Sequence, residues 1–144
     1  MFLFPQTLIL LKGAGDLGTG VAWRLHHAGF PVVITELAQP LVVRRTVAFA
    51  NAVYEAQSAV EGVAAWRAES FDEARELLEQ GIIPVLVDPA TRAREFFAPQ
   101  VVVDAVMAKR NTGTRLTDAP FVIALGPGFT PKVDCHAVID TQGG

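Results

Sequence analysis

The sequence predicts an α/β fold: a Rossmann-like, doubly wound, mostly parallel sheet with helices on both faces. Three observations carry that expectation. Several short runs are apolar at every position, as in strands covered on both faces. These runs alternate with segments of helical period, the pattern of a parallel sheet with helical crossovers. Residues 13–18 read Gly-Ala-Gly-Asp-Leu-Gly, directly after the first apolar run and at the start of the first helical segment. A chain of 144 residues has the size of one domain, so residues 1–144 are read as a single Rossmann-like nucleotide-binding domain.

Leu8–Leu11 is a continuous apolar run too short for a buried helix, hence a strand. Leu17, Gly20, Val21, Leu25 and Ala28 then fall on one helical face, and Gly29 supplies the stop. Pro31–Glu36 (PVVITE) reads as a second buried strand, and residues 41–54 as a helix with Val43, Val47, Ala50 and Tyr54 on one stripe. Residues 59–68 partly alternate and make a weaker strand, broken at Gly62. Ser70-Phe71-Asp72-Glu73 matches a capping box and opens a helix running to Gln80, ended by Gly81. Residues 82–88, 101–107 and 121–126 are three further apolar strands, and residues 136–140 (HAVID) a last short one.

Gly13, Gly15 and Gly18 form G-x-G-x-x-G between strand and helix, where a dinucleotide fingerprint must sit to work. The first glycine permits the tight turn, the second lets a pyrophosphate approach the main chain, and the third lets helix and strand pack closely. The helix start then offers amides and a positive dipole end to phosphates, so Gly13, Ala14, Gly15, Asp16, Leu17 and Gly18 are the candidate phosphate loop. Glu36, twenty-one residues after Gly15, ends the second strand where an acidic residue takes an adenosine ribose. A carboxylate there accepts from a 2′-hydroxyl and repels a 2′-phosphate, which favours NAD or another unphosphorylated adenosine over NADP. Arg44 and Arg45, beyond the strand, either reach a phosphate or form a solvated face. Asp16 is unfavourable beside a pyrophosphate unless it caps the helix, the structural role, or orients a metal or substrate. The competing explanation of the loop is a tight connection with no ligand.

Two more loops follow strands, where ligands of open α/β sheets bind. Gly126, Pro127 and Gly128 are one; residues 108–114, with Lys109, Arg110, Asn111 and two threonines, are the other. Either is also read as an ordinary turn-rich connection.

Twelve basic and fifteen acidic residues leave a formal charge of −3, without the basic block that a nucleic-acid partner requires. The apolar start lacks a charged n-region and a cleavage site, and Lys12 and Asp16 interrupt it before it could span a bilayer. No membrane partner is expected, and a cytoplasmic location is. The single cysteine, Cys135, fits a reducing compartment and is read as buried and inert. His26 and His27, adjacent on a helix, diverge by about 100° and cannot share a metal; no metal-ligand spacing is present. An apolar fraction of 51% points to self-association as a homo-oligomer.

The segments KGAGDLGTGVAWRLHHAGF, RRTVAFANAVYE, IIPVLVDP, VDAVMAKRNTGT and DAPFVIALGPGF, in this order and spacing, resemble the selenium-dependent molybdenum hydroxylase system proteins, relatives of the xanthine dehydrogenase accessory proteins. The resemblance runs from about Leu8 to Asp140. It implies a Rossmann-type domain that serves maturation of a molybdenum hydroxylase, as partner, by handling the molybdopterin cofactor. Taken with the glycine loop and Glu36, the expected ligand is NAD or another adenine or pterin dinucleotide, with NADP disfavoured. Position by position, Gly13, Gly15, Asp16 and Gly18 match the nucleotide loop, and Arg44, Arg45 and Thr46 a second motif. Lys109 and Asn111 match a third, and Gly126, Pro127 and Gly128 a fourth. Similar proteins continue well beyond Thr141–Gly144. The alternative is an NAD-dependent oxidoreductase domain without its substrate lobe; no general acid or base placed for a nicotinamide is evident.

Overall fold

The structure is a computed structural model that describes residues 2–37, 48–108 and 111–139. Its strands are β1 (Ile9–Lys12), β2 (Val32–Glu36), β3 (Gln57–Val60), β4 (Val63–Ala68), β5 (Ile83–Val87), β6 (Val101–Asp104), β7 (Phe121–Leu125) and β8 (Ala137–Ile139). Its helices are α1 (Asp16–Ala28), α2 (Ala52–Glu55), α3 (Phe71–Glu79) and α4 (Ala93–Phe97), with single 3-10 turns at Phe49–Asn51 and Leu116–Asp118. The described strands form one eight-stranded sheet in the order β3-β4-β5-β2-β1-β6-β7-β8. Only the β3–β4 pair is antiparallel. The α/β, Rossmann-like expectation is therefore met.

Alternation along each strand sends side chains to two separate cores. Ile9, Leu11, Val32, Ile34, Val85 and Val103 pack with Ala22 of α1 and Phe49 on one face. Leu10, Val33, Leu86, Val102 and Val122 pack with Ala74 and Leu77 of α3 and Ala93 of α4 on the other. Both faces are thus covered, which is why β1 reads as apolar without alternation.

Among the elements, the chain departs from the sequence reading at several places, each for a local reason. The weak strand broken at Gly62 is a hairpin, Val60 paired with Val63, whose two-residue turn needs positive φ at Glu61 (46°) and Gly62 (84°). The helix expected over 41–54 is seen only as the 3-10 turn at Phe49 and α2; residues 41–47 lie outside the described residues. A 3-10 start advances each residue by 120° rather than 100°, so Val53 turns inward and Tyr54 outward. On α1 the buried residues are Gly18, Thr19 and Ala22, while Leu17 is 41% exposed. The helix lies too close to the sheet for large side chains there. Finally, α4 was not foreseen; it starts where Asp88 accepts from the Arg92 and Ala93 amides at 2.9 and 2.8 Å.

Candidate functional site at the carboxyl ends of the central strands

Chain order reverses at β1: β2 lies on one side and β6 on the other. In open α/β sheets this switch point, at the carboxyl ends of the strands, is where ligands bind. The loop 13–18 leaves β1 at that end. Gly13 has φ of +86°, and a methyl group on it would lie 3.0 Å from Val106 Cα and 3.1 Å from the Ala105 carbonyl oxygen. A methyl on Gly18 would collide with the Gly13 carbonyl oxygen. Two of the three motif glycines are thus fixed by the packing of β1, α1 and the end of β6. Gly15, at φ −70° and ψ −159°, is the N-cap of α1 and has ordinary extended backbone.

Asp16 does not cap α1. The cap is Gly15, with no side-chain hydrogen bond, and Asp16 is the first helical residue, exposed to solvent. Its charge there complements the helix dipole. Leu17 is exposed beside it.

Both polar groups of Ala14 are taken by the protein. Its amide donates to Glu36 Oε2 at 3.1 Å, and its carbonyl accepts from the Thr19 hydroxyl at 3.0 Å and the Ala50 amide at 3.1 Å. Thr19 in turn accepts from the Phe49 amide at 2.9 Å, tying the segment after residue 47 to the loop. Glu36 therefore does stand beside the glycine loop, and its Oε1 also accepts from the Leu37 amide at 3.2 Å. Burial pushes its carboxyl above the ordinary value of 4.5, against the opposing effect of the Ala14 and Leu37 amides. The carboxylate keeps lone pairs for a further donor, as a ribose hydroxyl would be. The helix start without a side-chain cap and this carboxylate thus present amide donors and an acceptor at the end of β1.

On the other face of the sheet the same strand ends carry charge. Lys12 and Asp104 are register partners across β1 and β6, and Thr35 partners Lys12 across β1 and β2. Lys12 Nζ donates to Thr114 Oγ1 at 2.6 Å, and Thr114 Oγ1 donates to Asp104 Oδ2. The ammonium lies 3.9 Å from the Asp104 carboxylate. Lys12 is 8% exposed, Asp104 1% and Thr114 2%. The sequence reading did not single out Lys12 or Asp104; the available signal was a charged residue ending each of two apolar strands.

Asn111 is spent on its own turn. Its Oδ1 accepts from the Gly113 and Thr114 amides at 2.9 and 2.7 Å, and its Nδ2 donates to the Thr114 carbonyl at 2.7 Å. It thereby sets Thr114 over the Lys12–Asp104 pair. Gly126 follows β7, two strands from β1, and its amide donates to the Ile139 carbonyl at 3.1 Å; Pro127 and Gly128 are exposed. Arg44, Arg45, Thr46 and Lys109 lie outside the described residues.

Other groups are engaged elsewhere. Cys135 is fully buried and its thiol is pushed up, first by burial and then by the charges of Asp134 and Asp104. His136 Nδ1 accepts from the Val122 amide at 2.8 Å. Among the described residues no cluster of three His, Cys, Asp or Glu groups is placed to hold a metal ion, and no helix is long and apolar enough to cross a membrane.

No protein-family model matches the chain, and no solved structure matches it. Over 137 residues, 95% of its length, the chain is 54% identical to the uncharacterized protein YqeB of Escherichia coli (strain K12). It spans about a quarter of the length of that relative. The chain is thus a homologue, across nearly all its residues, of one segment of a longer protein.

Proposed function

We propose that the chain is the nucleotide-binding domain of an accessory protein for molybdenum hydroxylase maturation. Its ligand is a dinucleotide with a free ribose 2′-hydroxyl, NAD or a related adenine or pterin dinucleotide, bound across the β1 switch point. The observation that carries this reading is the pairing of the glycine loop with Glu36 at the carboxyl ends of β1 and β2. Phosphate oxygens would meet the first-turn amides of α1, which lack intrahelical partners. The ribose would donate to Glu36. The maturation role rests on the family resemblance of the RRTVAF, AKRNTGT and ALGPGF segments.

Calorimetric titration with NAD, NADP, AMP, CTP and molybdopterin cytosine dinucleotide tests it. Binding of NAD or the pterin dinucleotide, with NADP weaker, is the expected result; no binding of any of the five ends the proposal. Glu36→Ala should weaken NAD about tenfold, the scale of one lost hydrogen bond to a charged group. Capture of a molybdenum hydroxylase by the immobilised full-length relative tests the partner.

A further inference from the structure

Lys12, Asp104 and Thr114 have no role in the nucleotide reading above, yet they lie buried at the strand ends of the switch point, on the face opposite α1. Purely as fold elements they are expensive. An ion pair that is nearly all buried gains little over apolar side chains of similar volume, because both ions lose their water. A direct charge-assisted hydrogen bond between such groups measures about 2.7–2.9 Å. Here the two charges stand 3.9 Å apart and are joined through one hydroxyl, which accepts from the lysine and donates to the aspartate. An ammonium has three donors. Thr114 takes one of them, and among the described residues Asp104 is the other neighbour of the charge.

The surroundings give those donors a direction. Lys12 is immediately followed by Gly13, and the β6 residues after Asp104 touch the glycine loop through Ala105 and Val106. The Lys12 carbonyl accepts from the Ala105 amide at 2.8 Å, locking the ends of β1 and β6 together. A ligand laid across the switch point from Glu36 over the glycine loop next meets the β1–β6 junction. There its charge is negative if it carries a second phosphoryl group.

We propose that Lys12 is a phosphate-reading cation of this switch-point site, held ready by Thr114 and Asp104, and that it takes the phosphoryl group farther from the adenosine. Thr114 and Asp104 are positioning residues: they keep the ammonium at the strand end without consuming it in a direct ion pair. The proposal rests on the nucleotide reading above and adds to it that discrimination between one and two phosphoryl groups belongs to Lys12.

The test compares AMP, ADP and inorganic pyrophosphate by calorimetry at fixed low salt. Lys12→Met alone leaves Asp104 without its cation and endangers the fold, so the decisive variant pairs K12M with Asp104→Asn; Lys12→Arg is the conservative control. Wild-type protein should bind ADP about tenfold more tightly than AMP. The double variant should hold AMP as before and lose the preference for ADP, and K12R should restore part of it. An unchanged ADP preference in the folded double variant overturns the proposal, as does a wild type with no preference. If neither adenine nucleotide binds, the nucleotide reading has failed, and pyrophosphate judges Lys12 alone. Pyrophosphate binding lost in the double variant upholds the cation site, whereas its absence, or its persistence in the variant, removes it.

Discussion

The glycines of the 13–18 loop show how much a single residue can disclose. G-x-G-x-x-G was legible because part of its constraint is local, a left-handed φ at Gly13 and the contact of Gly18 with the Gly13 carbonyl; the close approach of Ala105 and Val106 to Gly13 is long-range and left no mark in the pattern. The Lys12–Thr114 contact was not legible, because it joins positions 102 residues apart through a strand register that no periodicity specifies. The same residues give a paired test of the packing. Gly18→Ala forces a methyl into the Gly13 carbonyl oxygen and should cost about 1–3 kcal/mol, the range for overpacking. Gly20→Ala, two positions on in the same helix, meets nothing within 4 Å and should stabilise by about 0.5–1 kcal/mol through lost unfolded-state freedom. Urea unfolding of the two variants should move in opposite directions, and equal shifts would mean that α1 does not sit as close to β1 as described.

At the scale of elements, the signals that succeeded were those where one side chain decides a boundary. Ser70 was expected to start α3, and its oxygen accepts from the Glu73 amide at 3.0 Å. Ser70→Ala should cost about 1 kcal/mol in chemical unfolding. The strand over 101–107 was expected three residues too long, because Asp104 Oδ1 accepts from the Val106 amide and turns the chain out of the sheet. The apolar run alone gives no sign of that competition. Asn111 shows the same effect at the next loop, where its three hydrogen bonds shape the turn that delivers Thr114. Asn111→Ala should lower stability by about 1–3 kcal/mol, since two amides and a carbonyl lose their partner. Asn111→Asp, which keeps the accepting oxygens, should recover much of that loss in the same unfolding assay.

Across the whole molecule, two titrating groups at opposite ends of the sheet give stability opposing pH slopes. His26 lies near the carboxyl end of α1, where its Nε2 donates to the Gly81 carbonyl at 3.0 Å. Burial, the largest influence, holds its pKa below 6.5. The unfolded chain then binds the proton more readily, so stability contributed by neutral His26 is present above pH 6.5 and is lost as pH falls through the folded value. Glu36 has the reverse sign. Its raised folded value means that the neutral acid is favoured on folding, and that contribution, complete below pH 4.5, is lost as pH rises through the folded value. Melting temperatures from pH 4 to 8 should therefore show wild type falling relative to His26→Gln below pH 6.5, and falling relative to Glu36→Gln above pH 4.5. Curves that run parallel across the range would contradict both burials. A ligand that donates a ribose hydroxyl to ionised Glu36 favours the charged form, so NAD should bind more tightly as pH rises through the Glu36 value. In Glu36→Gln that dependence should vanish while pyrophosphate binding at Lys12 persists, which separates the two ends of the proposed site by their response to protons.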